Sequence, residues 1–247
     1  MKSKQASTQI QTLHELKQRI QELARPRHAD LQLRFFKTGP GEYGEGDRFL
    51  GIAVPPMRAL AREFQHLPVE AAKVLLLSPW HEERLIALFL MINHYQKADQ
   101  KTREKLTEYY LSHARYVNNW DLVDASAHLL VGPTLSPQNT KRLETLARSK
   151  VLWERRIAMI ATFHYIRQNI FEPTLRIAGI LLHDEHDLMH KAVGWMLREV
   201  GKRDQSIEEK FLKPRYADMP RTMLRYAIER FPEPLRQAYL KGTIRES

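Results

Sequence analysis

The residues of this chain best placed to do chemistry are four tryptophans, Trp80, Trp120, Trp153 and Trp195, and one aspartate-bearing helix start. In Asn118-Asn119-Trp120-Asp121-Leu122-Val123-Asp124, either asparagine can cap a helix, and an aspartate in the first turn is favoured by the helix dipole. Trp120 and Asp124 stand four apart, so ring and carboxylate leave the same helix face. Together they could stabilise positive charge, the ring by its electron-rich face and the carboxylate directly. Asp121, rotated about 100° from Trp120, suits a simple first-turn charge. Asp124 lies deeper and needs a reason to be there; pairing with an arginine of a neighbouring element is the structural one. Trp80 and Trp153, at helix starts, read as packing residues. Trp195 sits mid-helix beside Gly194, which costs a helix about 1 kcal/mol against alanine. Another helix or a ligand is therefore expected to approach closely there. Arg155 and Arg156 open the helix of Trp153, and Arg198 with Glu199 reads as an ion pair on a helix surface or between repeats.

The elements that must position these groups are helices. Apolar residues recur at helical period almost throughout, and no stretch alternates convincingly as a strand. Helices are expected over 8–36 at the N-terminus, with Ser7 and Thr8 as caps. Further helices are expected over 55–65, 68–77, 80–96, 99–115, 119–131, 137–149, 152–168, 172–183, 186–202, 205–213, 220–231 and 233–241. Between them 37–51 carries five of the ten glycines and reads as a loop. No Gly-Lys-Ser/Thr follows it and no strand precedes it, so neither a P-loop nor a dinucleotide fingerprint fits. It is expected to dock the N-terminal helices.

The helices also resemble one another. The segments opening at Trp80, Val151, Leu188 and Pro220 each lead from basic or polar residues into an apolar helix with a central alanine. Ala87, Ser126, Ala158, Ala192 and Ala227 fall in register, 32 to 39 residues apart, a period that suits a two-helix repeat of HEAT type. A helix pair cannot bury both faces alone, so neighbours stack, and small residues permit the close approach. The expected architecture is an all-α, HEAT-like helical-repeat solenoid with a concave basic face, a single repeat domain over 1–247.

Composition narrows the chemistry. The 247 residues include no cysteine, which removes disulfides, thiol catalysis and cysteine zinc sites. None of the eleven histidines forms His-Glu-x-x-His, and no metal or cofactor is expected. Apolar runs are too short to cross a bilayer and the first residues lack the apolar core of a signal peptide, so a cytoplasmic protein without membrane contact is expected. Lysine and arginine total 39 against 29 acids, a net charge of +10, dispersed along the chain. Such a surplus suits a polyanion, with nucleic acid ahead of an anionic membrane.

Four pieces occur in one order: YGEGDRFLGIAVPPMRALARE at 43–63, NNWDLVD at 118–124, WERR at 153–156 and KAVGWMLREVGK at 191–202. In these the chain resembles the AlkD-like DNA alkylation repair family, less so through residue 33. The resemblance implies a monomeric, monofunctional glycosylase acting on cationic N3- or N7-alkylated purines in duplex DNA, with the lesion left in the base stack. It places the catalytic aspartate at Asp124, the two tryptophans that surround the deoxyribose at Trp120 and Trp195, and a supporting arginine at Arg156. Arg155 and Lys191 are expected to add DNA contacts. A non-catalytic binder of distorted duplex shares the charge and fold and differs only in what Asp124 and the tryptophans do. A protein-binding solenoid would need an apolar groove, which the arginines at repeat starts oppose.

Overall fold

The computed structural model describes residues 2–244, with the side chains of 12–244. It is all-helical: among the described residues the sole β-type pairing is an isolated bridge between Arg48 and Trp80. No described helix is long and apolar enough to cross a membrane. The chain divides into two compact units, Met1–Ser126 and Ala127–Ser247.

The first unit opens with α1 (Lys2–Glu22) and α2 (Pro26–Phe35). Ser7 and Thr8, expected as caps, lie inside α1, because neither residue is unfavourable enough to stop a helix that continues on both sides. Then follow the loop, α3 (Val54–Glu63), α4 (Val69–Leu76), α5 (His81–Lys97), α6 (Gln100–Ser112) and α7 (Trp120–Leu130). The α5 helix packs on α3, α4 and α6, which explains its apolar character on every side: from Leu85 to Ile92 each residue is buried. Its polar first turn is buried as well, and each member has a partner. Glu82 accepts three backbone N–H groups, from Leu50, Gly51 and Ile52. Glu83 faces Lys17 of α1 at 3.5 Å, and Arg84 donates to the Ser78 carbonyl and to Asp47.

The glycine-rich loop docks both ends of α2, as expected. Gly51 (φ 82°) lies so close to the Arg25 carbonyl that a Cβ would overlap it, and Arg25 N–H donates to the Leu50 carbonyl. Gly44 is pressed likewise on the Phe36 carbonyl.

In the second unit the helices are α8 (Lys141–Ala147), α9 (Leu152–Ala161), α10 (Phe163–Ile166), α11 (Glu172–Ile180), α12 (Asp187–Gly201), α13 (Gln205–Leu212), α14 (Arg221–Ala227) and α15 (Glu233–Lys241). The first helices of successive pairs stack, α8 on α11, and so do the second helices, α9 on α12 and α12 on α14. The single helix expected over 152–168 breaks at Thr162, whose N–H and hydroxyl both turn back to the Met159 carbonyl. Beside the break Gly132 packs directly on the Ala161 carbonyl and the His164 side chain. The residues placed in register by sequence, Ala87, Ser126, Ala158, Ala192 and Ala227, are all fully buried.

Gly194 is explained by a helix. A Cβ there would overlap the Met223 carbonyl and the Tyr226 Cβ, both on α14. Because these are backbone and Cβ atoms, nothing flexible can give way. Gly194→Ala should therefore destabilise the fold by about 1–3 kcal/mol, overpacking outweighing the gain in helix propensity. Urea unfolding followed by circular dichroism measures this, and an unchanged or raised midpoint would refute the close approach.

Candidate active site

The start of α7 is held by a buried polar network. Loop residue Asp47 and helix residues His81 and Arg84 are all buried. His81 lies between two carboxylates, with Nδ1 at 2.9 Å from Asp47 and Nε2 at 2.8 Å from Asp121. Asp121 also accepts the N–H of Leu122, so the residue expected to be a plain first-turn charge is the anchor of α7. Burial alone would push the His81 imidazole down, but the charge and hydrogen bond of Asp121, then those of Asp47, lift it to about 9. Burial would likewise raise Asp47, yet its bonds and proximity to His81 and Arg84 hold its carboxyl below the ordinary value.

An aromatic wall continues from this network. Phe49 stacks on the His81 ring at 4.5 Å and on Phe36 at 4.9 Å. Phe36 stacks on Trp120 at 5.4 Å with 28° between planes, and Phe35 meets Trp120 edge-on at 5.8 Å. Phe35 is 63% exposed and Trp120 is half-buried, so the wall opens to the surface at these two rings. Asp124, one turn on from Trp120, is also half-buried. Behind it Tyr110 is fully buried and bonds Ser126 Oγ at 2.9 Å. Burial raises the Tyr110 phenol, the Ser126 bond offsets part of this, and the nearby Asp124 charge raises it further. Asp124 therefore has a neutral hydroxyl at its back.

In the second unit Trp195 keeps partial exposure. Its Nε1–H donates to Glu199 at 3.1 Å, and its ring lies 6.1 Å from Phe163, which His128 meets edge-on. Glu199 is shared with Lys202 at 2.6 Å. Arg198 reaches across to Glu229 of the following pair, so it bonds between repeats. The basic residues differ in what they can offer. Arg155 forks onto Asp184, Nε to Oδ2 at 2.6 Å, and its Nη1 donates to the Ser149 and Lys150 carbonyls. A DNA contact from Arg155 would have to compete with all of these. Arg156 is 4% exposed and donates to the Leu188 carbonyl at 2.6 Å, tying α9 to the start of α12. Lys191 pairs with Asp187 one turn back, and its side chain is part-exposed. Trp153 is buried, as a packing residue should be.

Sequence reasoning missed Asp47, His81, Phe35 and Phe36. The first two are polar residues flanked by glycine or glutamate, with no local sign that they meet. The adjacent phenylalanines at the end of α2 were the available signal, since both cannot be buried on one helix face.

These features define an all-α protein of stacked helix pairs with an aromatic and carboxylate site at the start of a repeat helix. The chain belongs to the DNA alkylation repair enzyme family, whose model matches residues 16–231. The fold is similar to that of a solved structure described as a predicted DNA alkylation repair enzyme from Enterococcus faecalis. The TM-score is 0.65 at 18% identity, over 85% of this chain and 97% of that one. No curated protein matches the sequence. The family implies DNA as the substrate and alkylation repair as the role.

The His81 bridge forms only in the folded chain, which fixes the sign of a pH effect. Its contribution is complete below the unfolded value of 6.5 and is lost as pH rises through about 9. Asp47, held low, contributes above its ordinary 3.8 and loses this as pH falls. Stability should peak between about pH 4 and 6.5 and decline toward pH 9, and His81→Gln should flatten the alkaline limb. Urea midpoints across this range measure it; a wild-type midpoint constant from pH 6.5 to 9.5 would mean that the fold does not raise His81 above its ordinary value.

Proposed function

We propose that the chain is a monofunctional DNA glycosylase that releases cationic N3- or N7-alkylated purines from duplex DNA. The observation that carries this reading is the pairing of Trp120 and Asp124 on one face of α7, both partly exposed, at a helix start anchored by buried charge. Alkylation gives the purine a positive charge. When the N-glycosidic bond breaks, its electron pair leaves with the base, which departs neutral, so no general acid is needed. The sugar acquires oxocarbenium character at C1′. Asp124 stabilises that charge and orients the water that adds to C1′, whose proton passes to the carboxylate or to solvent.

The Trp120 ring presents its electron-rich face to the cationic nucleotide and excludes water, which strengthens the carboxylate's field. Trp195 takes the same aromatic role by its place in the family order. The burial of Arg156 suits it to holding helices in place rather than to meeting a phosphate in solvent; Lys191 retains the exposure that a phosphate contact needs. Because the carboxylate acts at the sugar, the lesion can stay in the stack, and selectivity follows the lability of the base. The protein works as a monomer, without metal or cofactor.

The test is single-turnover release of N7-methylguanine from methylated duplex DNA, without metal. Asp124→Asn should slow release by roughly 10²-fold or more while duplex affinity stays within a few-fold of wild type. Equal loss of rate and affinity would make Asp124 structural. Duplex binding by wild type with no release above the spontaneous rate would point to a damage-sensing scaffold.

A further inference from the structure

His81 does more than fill the core of the first unit. Both of its ring nitrogens face carboxylate oxygens, and a neutral imidazole has only one N–H to give. Both bonds to ionised carboxylates therefore require the doubly protonated ring. Its partners come from different elements: Asp47 from the loop after α2, and Asp121 from the first turn of α7, next in sequence to Trp120. A second route runs through the rings, from His81 to Phe36 at 5.0 Å and from Phe36 to Trp120 at 5.4 Å. The charged groups around His81 are Asp47 from the loop, Asp121 from α7 and, across Asp47, Arg84 from its own helix. Glu82 and Glu83 beside it face the loop backbone and Lys17, and α2 brings the uncharged Phe36 ring. An apolar side chain packed between Phe36 and Phe49 could fill the same space without burying charge, and such replacements are often no less stable. What the ion bridge adds is direction: two bonds at opposite ring edges fix three elements in one register.

We propose that His81 is a positioning residue for base release, its bridge from Asp47 to Asp121 fixing the first turn of α7 and thereby the plane in which Trp120 meets the nucleotide. This rests on the role given to Trp120 above.

The test compares the full-length wild type, His81→Gln and Asp121→Asn. Asp121→Asn keeps the shape and an acceptor oxygen while removing the charge, so it serves if His81→Gln folds poorly. Four quantities are read: single-turnover release of N7-methylguanine at saturating protein, duplex affinity, helicity by circular dichroism, and the tryptophan emission that Trp120→Phe removes, followed from neutral to alkaline pH. Both variants should release base roughly 10²-fold more slowly, the cost of a misplacement of about 1 Å, with affinity within a few-fold of wild type. The Trp120 emission of wild type should titrate near pH 9, and that of His81→Gln should not. Wild-type release by His81→Gln overturns the proposal, as does Trp120 emission that follows the same pH course with and without the histidine. Equal loss of rate, affinity and helicity in both variants also overturns it, leaving His81 a core residue. If wild type releases no base, the glycosylase reading fails by itself, and the emission titration still decides whether His81 governs the Trp120 ring.

Discussion

A buried imidazolium between two carboxylates is the constraint on which the first unit depends. Removing His81 and Asp47 from water, and Asp121 in part, is unfavourable, and only their mutual geometry makes the burial tolerable. The geometry cannot drift by much, because each bond is between groups of opposite charge at under 3 Å and the rings of Phe36 and Phe49 close around the histidine. The loop, α5 and the start of α7 thus reach their positions together. Trp120 and Asp124 inherit that order, since both stand part-exposed on the helix so anchored.

The second unit reaches similar order by a different means. Its second helices stack through small residues, with Ala158, Ala192 and Ala227 fully buried and Gly194 in direct contact with the backbone of α14. Direction comes from the polar first turns: Arg155 forks onto Asp184, and Arg156 bonds the Leu188 carbonyl. In both units the polar run before each apolar helix is a joint between elements. This qualifies the reading of such runs as a DNA-binding face, because a guanidinium bonded to its neighbours is poorly placed to meet a phosphate. The net charge of +10 is then expressed through side chains outside these joints.

Much of the fold was legible because helical periodicity and repeat spacing are local signals. The register from Ala87 to Ala227 could be read directly, and Gly194 announced a close approach before its partner was known. The pairing of Trp120 with Asp124 needed only the helical pitch. What could not be read was everything decided by meetings across 30 to 40 positions. Nothing near Asp47 indicates that it faces His81, and nothing near Asp121 separates an anchor from an exposed first-turn charge. Helix ends moved for a related reason. The break at Thr162 follows from a hydroxyl turned back on the Met159 carbonyl, and periodicity does not register such a bond. The roles given to Trp195, Arg156 and Lys191 come from the order of motifs, which carries no geometry.

Glu82 has a consequence for how this protein can change. One buried carboxylate receives the backbone N–H groups of three successive residues, 50 to 52, so it acts as a template for the main chain. A segment held in this way tolerates no change of length, and here the backbone approach at Gly51 and the burial of Leu50 and Ile52 restrict its side chains as well. The opposite holds at the tip around 39–42, where Gly39 and Gly41 bond only to Glu42 and Glu45 of the loop itself, in solvent. Insertions, tags or grafted peptides belong at that tip, a dozen residues from a point at which adding one would pull the chain off its template.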